Sequence, residues 1–166
     1  MKQAPPIPYT RSKHPLVILK AVIKTILDDP KRYNQEMFLL KKESSTLSDA
    51  KFPACGTIAC VAGWVCLVTS RSGEPPYFAM TDGEPSFAMT AARLLKLTPG
   101  TCSELFDGGA LYGLPGGAGY GETTPRRYAR LGVRHILRFA KQTWGQAAAD
   151  YLKGKITRPP RITEVR

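Results

Sequence analysis

Residues 55–67 limit the fold more than any other segment, because a helix formed by them would be apolar on every side. The segment reads CGTIACVAGWVCL, and small residues such as Ala62 and Gly63 allow a neighbouring backbone to approach closely. A helix of this kind is buried inside a helical protein, and it is shorter than the roughly 18 apolar residues that cross a bilayer. We therefore expect a buried central helix over 57–69, capped by Thr57.

Apolar residues at helical spacing predict further helices around this segment. The predicted helices cover residues 15–27, 87–97, 99–106, 125–143 and 146–153. Turn residues surround Tyr77–Thr81, which we expect to form a short strand. The sequence thus predicts a mainly α fold, an irregular bundle of five or six helices around a buried central helix, with long loops and at most a small β-hairpin.

The length and composition are those of one globular domain. The chain has 166 residues, of which 43% are hydrophobic and 22% charged. We expect a flexible N-terminal segment over 1–13, a single helical domain over 14–156 and a flexible basic tail over 157–166. Residues 107–122 form a Gly-rich loop inside the domain. No Lys-Ser/Thr pair follows these glycines, so they do not match a phosphate-binding P-loop.

The charge is strongly positive and unevenly distributed. Residues 1–42 hold nine Lys/Arg and three Asp/Glu, residues 43–122 hold four and eight, and residues 123–166 hold eleven and two. The net charge is +11. Basic regions at both ends of a chain are typical of a protein that binds nucleic acid or an acidic protein.

The longest predicted helix carries the strongest binding pattern. Five cations on it are spaced three, four, four and three residues apart, which places them within an arc of about 80°. These cations are Arg127, Arg130, Arg134, Arg138 and Lys141. An exposed helix face with a purely structural role more often alternates positive and negative side chains. The fork of N–H donors on arginine also fits the oxygens of a phosphate group. We expect a non-catalytic binding surface for a nucleic-acid backbone or an acidic protein, helped by Lys20 and Lys24. The alternative is a solvated helix face, with arginines stacked on loops or paired with acids of the middle segment.

Two other functions stay open from the sequence. Cys55 precedes a predicted helix start, where the helix dipole lowers a thiol pKa, and His135 is a candidate base for it. The chain would then be a small cysteine-dependent enzyme. Alternatively, the Gly-rich loop could close over a small ligand. The composition favours the binding protein over either of these.

Several partners and settings are not indicated. There is no zinc-ligand spacing, no calcium loop and no base-reading motif, so we expect no cofactor, no metal and little sequence specificity. No segment is apolar enough to span a membrane, and the N-terminus lacks the apolar region of a secretory signal. We therefore expect a cytoplasmic protein with reduced cysteines. The pattern does not indicate an oligomeric state.

The ten residues 55–64, CGTIACVAGW, resemble the signature of a group of short, uncharacterised phage and bacterial proteins with a CGT-x-x-C-x-A-G-W/H pattern. The resemblance extends to Pro30-Lys31-Arg32-Tyr33 before this string, and to residues 91–99 and Leu105-Phe106 after it. It implies a compact helical unit but no activity, and a phage-type accessory or anti-defence role would fit it. It also implies a structural or binding hub made of Cys55, Gly56, Thr57, Cys60, Gly63 and Trp64.

Overall fold

The protein is a helical bundle, as the sequence predicts. The computed structural model describes residues 7–35, 40–41, 57–70, 79–81, 84–107, 111, 114, 116–118 and 121–162. The helices in the described part are α1 (Pro15–Asp28), α2 (Val61–Val68), α3 (Phe87–Leu95), α4 (Pro99–Phe106), α5 (Pro125–Trp144) and α6 (Gln146–Leu152), with a 3-10 turn at Pro30–Arg32. None of the helices in these ranges is both long and apolar enough to cross a bilayer.

Two short antiparallel pairs of strands accompany the helices. β3 (Ala79–Thr81) and β4 (Glu84–Ser86) form a hairpin at the position predicted for a strand. β1 (Leu40–Lys41) pairs with β2 (Thr57–Ile58), which the sequence did not predict. A parallel bridge between Tyr33 and Ala59 lies next to this second pair.

The predicted central helix is confirmed, but its predicted start at Thr57 is wrong. Every residue of α2 is buried, as expected of a helix that is apolar on all sides. The helix begins at Val61 because the preceding residues are extended. Residues 57 and 58 belong to β2, and the Ala59 N–H donates to the Arg32 carbonyl at 2.9 Å. Pairing with distant backbone therefore overrides the local capping preference of Thr57.

The other helices begin where the sequence predicts. Ser86 caps α3 by accepting the Met89 N–H at 3.2 Å. Thr98 caps α4 by accepting the Thr101 N–H at 3.3 Å, and the helix starts at Pro99 as predicted. Pro15, Pro99 and Pro125 occupy the first positions of α1, α4 and α5, where the N–H that proline lacks would have no partner.

Both predicted flexible ends contain residues that contact the helical domain. The Thr10 N–H donates to the Val68 carbonyl at 2.8 Å. The His14 Nε2 lies 3.2 Å from the Pro160 carbonyl oxygen, and Ile7 and Ile162 pack against the core. The predicted domain boundaries stay predictions, but residues 7–13 and 157–162 have defined contacts.

Candidate nucleic-acid interface

Helix α5 is amphipathic along its whole length. Thr124 caps it by accepting the Arg127 N–H at 3.3 Å, and Pro125 occupies its first position. One face of the helix packs into the core through Tyr128, Ala129, Leu131, Gly132, His135, Ile136, Phe139 and Ala140. The opposite face is left to solvent, and it carries the predicted cations.

All five predicted cations are exposed on this opposite face. We call this set the basic face; it consists of Arg127, Arg130, Arg134, Arg138 and Lys141. No ion pair within the described residues involves a member of the basic face. The Arg127 guanidinium lies against the Gly-rich loop, since a Cβ added at Gly116 would be 3.5 Å from its Nη2. The basic face is therefore a stripe of positive charge whose guanidinium and ammonium groups are exposed to a partner.

The start of α5 is the most positive end of the stripe. Arg126 is also exposed there, and the first turn holds no acidic residue. Unpaired N–H groups and the helix dipole add partial positive charge at the same end. Arg126 and Arg130 line a surface cavity of about 270 Å³ together with Asp28 and Pro30. Among the described residues that line this cavity, Asp28 is the one carboxylate.

The two additional cations predicted on α1 have partners of their own. The Lys20 Nζ lies 4.3 Å from the centre of the Tyr151 ring. The Lys24 Nζ forms an ion pair with Asp28 at 2.6 Å. The structure therefore places Lys20 beside α6, whereas Lys24 and its partner Asp28 lie near Arg130 at the start of the basic face.

Beneath α5, a buried polar network is centred on the Gln35 side chain. Its Oε1 accepts from the Tyr33 hydroxyl at 2.8 Å and from the Val61 N–H at 3.4 Å. Its Nε2 donates to the Leu105 carbonyl at 3.0 Å and to the Asp107 carbonyl at 3.3 Å. Gln35 thus satisfies open backbone groups at the start of α2 and at the end of α4.

His135 joins this network from α5. Its Nε2 lies 3.1 Å from the Leu105 carbonyl oxygen, so the ring donates from that nitrogen. Burial lowers the pKa of His135 from 6.5, and the Arg138 charge adds to that effect, while the Leu105 carbonyl opposes it. Cys55 lies outside the described residues, so the Cys55–His135 pair stays a prediction. Within the described network, His135 joins α5 to α4.

We expect His135 to make the fold sensitive to mild acid. Since its pKa is lowered in the folded state, the unfolded chain binds a proton more readily as the pH falls below 6.5. Its stabilising contribution is complete above that pH and is lost as the pH falls further. Urea unfolding of the wild type and of His135→Gln between about pH 7.5 and pH 5.5 measures this effect. The free energy of unfolding should depend less on pH in the variant than in the wild type. An equal pH dependence of this free energy in the two proteins would contradict the assignment.

The described cysteines have the character of core residues. Cys60, Cys66 and Cys102 are buried. Burial raises the pKa of Cys60 to about 11 and that of Cys66 to about 12, and it also raises the pKa of Cys102. These thiols stay protonated at neutral pH and are poor nucleophiles. The described residues contain no cluster of side chains that could hold a metal ion.

Part of the predicted hub is brought together around the Arg32 backbone. The Trp64 Nε1 donates to the Arg32 carbonyl at 2.8 Å. Gly63 is buried on the same helix, and Cys60 is buried directly before it. Cys55 and Gly56 lie outside the described residues, and the Thr57 backbone belongs to β2. The described part of the hub therefore joins α2 to the turn after α1.

Sequence reasoning missed Gln35, Gly132 and the packing role of Tyr33. A Cβ added at Gly132 would lie 2.3 Å from a Tyr33 ring carbon, so this glycine lets the ring pack against α5. The Tyr33 and Tyr128 ring centres are 5.4 Å apart. A glycine in the middle of a helix lowers helix propensity, and this is the one sequence signal that could have indicated the close contact.

The described residues of the Gly-rich loop contribute to the core. Leu111 is 1% exposed, Leu114 is 8% exposed and Ala118 is 9% exposed. The Gly117 N–H donates to the Leu114 carbonyl at 2.8 Å. The loop is therefore attached to the bundle at these points, and its predicted role as a lid stays a prediction.

No protein-family model, curated protein or solved structure matches this chain. The resemblance to the short phage and bacterial proteins therefore stays a prediction. Within the described residues, the basic face is the surface best suited to bind a partner.

Proposed function

We propose that the protein binds nucleic acid through phosphate contacts made by the basic face. The observation that carries the proposal is the set of five exposed cations on one side of α5, with no ion pair to any described residue. Like charges at this spacing repel one another by a few tenths of a kcal/mol per pair. A polyanion would offset that repulsion.

The dimensions of the stripe suit a phosphate backbone. The span from Arg127 to Lys141 corresponds to about 21 Å along the helix axis. Four of the five cations are arginines, which form two parallel hydrogen bonds to phosphate oxygens. The buried opposite face fixes α5 in the bundle, so the cations are presented on a rigid support.

The proposal predicts binding with little sequence preference. Contacts to phosphate position a protein on nucleic acid without reading its bases. The proposed setting is the cytoplasm, where thiols are kept reduced. An accessory role of the phage type is compatible with such binding.

A salt series with labelled single- and double-stranded oligonucleotides tests this function. If all five cations engage phosphates of a duplex, the logarithm of the affinity should fall with the logarithm of the salt concentration with a slope of about −4.5. The variant R130Q/R134Q/R138Q should weaken binding on the order of a hundredfold at about 0.1 M salt and reduce the slope by about 3. The measurement is fluorescence anisotropy at several salt concentrations.

A variant with the same charge change elsewhere is the matched control. K153Q/R158Q/R161Q neutralises three exposed cations beyond α6 and should retain the wild-type affinity and slope. Equal losses in both variants would show that net charge, and not the basic face, drives binding. If the folded wild type binds neither oligonucleotide at low salt but binds polyglutamate, the partner is an acidic protein and the proposal is wrong.

A further inference from the structure

A second basic surface surrounds a cleft at the N-terminal side of the bundle. The cleft has a volume of about 330 Å³ and is lined by residues 9–13, Thr69, Arg93, Leu94 and Lys96. We call it the N-terminal cleft. None of its residues belongs to the basic face, so it is a separate feature of the molecule.

Hydrogen bonds hold the wall formed by residues 9–13 in place. The Thr10 N–H donates to the Val68 carbonyl at the end of α2, at 2.8 Å. The Thr10 hydroxyl accepts the Ser12 N–H at 3.1 Å, and the Ser12 hydroxyl accepts the His14 N–H at 3.1 Å. A hydroxyl that accepts in this way keeps its own O–H for donation. The wall therefore offers hydroxyl donors as well as charge.

The described residues that line the N-terminal cleft carry charge of one sign. Four of them are exposed cations, and none of the described lining residues is a carboxylate. The cations come from two segments that are far apart in sequence; they are Arg11, Lys13, Arg93 and Lys96. Concentrated positive charge with hydroxyl donors is the chemistry that binds phosphate.

Lys96 occupies a backbone conformation that favours glycine. It follows α3 with φ 56° and ψ 41°, and no other described residue except glycine has a positive φ. The Leu97 N–H donates to the Ala92 carbonyl and the Lys96 N–H to the Arg93 carbonyl, which is the Schellman arrangement. Glycine is usual at this position. A lysine held there despite the strain places a cation at the cleft, and such strain is concentrated at functional sites.

We propose that the N-terminal cleft binds the phosphate monoester of a nucleotide-sized ligand. Its volume lies at the lower end of the range of about 300–1,000 Å³ found for ligand pockets. Arg11, Lys13, Arg93 and Lys96 contact the phosphate. Tyr9, which is 43% exposed, provides an aromatic wall for the base. The same monoester occurs on a free nucleotide and at the 5′ end of a strand.

Isothermal titration calorimetry with adenosine 5′-monophosphate and with adenosine tests the proposal. The full chain should bind the monophosphate at least about tenfold more tightly than the nucleoside, because charged hydrogen bonds form only with the phosphate. R93Q/K96Q should lose about tenfold or more of that affinity. The basic-face variant R130Q/R134Q/R138Q should retain it, so this proposal and the proposed function can fail independently.

Two oligonucleotides distinguish the sources of the phosphate. In R130Q/R134Q/R138Q, a 5′-phosphorylated strand that binds more tightly than the same strand with a 5′-hydroxyl places a strand end in the cleft. Equal binding of the two strands, with the monophosphate still bound, identifies the free nucleotide as the ligand.

Lys96→Gly separates a binding role from a structural one. Glycine removes the backbone strain, so we expect a higher melting temperature together with weaker binding of the monophosphate. Failure of the wild type to bind the monophosphate at low salt would overturn the proposal. Equal affinity for adenosine, or unchanged binding by R93Q/K96Q, would do the same.

Discussion

Replacing Trp64 by alanine is expected to lower the free energy of unfolding by about 3–5 kcal/mol. Trp64 is 0% exposed and is one of the largest fully buried side chains of the described core. It lies on α2, whose residues are all buried, so the surrounding side chains have little room to collapse into the vacated volume. Chemical denaturation followed by circular dichroism measures the loss.

Trp64→Phe separates the contribution of volume from that of the hydrogen bond. The indole N–H donates to the Arg32 carbonyl, but that carbonyl also accepts the Ala59 N–H at 2.9 Å. Its oxygen therefore keeps a partner when the indole is lost, and we expect Trp64→Phe to cost about 1–2 kcal/mol. If Trp64→Ala cost no more than Trp64→Phe, the assignment of Trp64 to the packed centre would be wrong.

Gly132→Ala is expected to destabilise the protein by about 2–3 kcal/mol, although alanine is normally the better helix former. The added methyl group would lie 2.3 Å from a Tyr33 ring carbon, closer than any two such atoms approach. Tyr33 is 0% exposed and its hydroxyl donates to Gln35, so the ring cannot move without disturbing the buried network. The same denaturation measurement applies.

Gly100→Ala is the matched control for this substitution. Gly100 also lies in a helix, but a Cβ there would meet no atom within 4 Å. We expect its effect to stay within about 0.5 kcal/mol of the wild type or to be stabilising. Similar values for the two variants would contradict the close contact between α5 and Tyr33.

The helices could be predicted because their signals are local. Apolar spacing predicts the buried faces of α1 and α5, and Ser86, Thr98 and Thr124 each cap a helix at its predicted start. The composition of α2 alone indicates that it is central. Exposure of the basic face also follows from spacing, because the cations lie opposite the apolar stripe of the same helix.

The missed features depend on residues that are far apart in the chain. Thr57 has the side chain of a helix cap, yet its backbone pairs with residue 41. The acceptor for the first N–H of α2 comes instead from Gln35, 26 residues earlier. The N-terminal cleft likewise needs residues 9–13 beside the end of α3. The spacing of residues along one helix or strand does not show which distant residues it contacts in the fold.

The left-handed backbone conformation of Lys96 has a consequence for how this protein would evolve under selection at high temperature. A selection that rewards thermal resistance alone would favour glycine at this position, since the bundle keeps its Schellman ending and loses the strain. It would also favour replacement of some of the five cations of the basic face by Asp or Glu, because this would relieve the repulsion between like charges on α5. Both changes would discard the anion chemistry proposed for these surfaces. Retention of lysine and arginine at these sites in a heat-adapted line would therefore indicate that selection acts on binding.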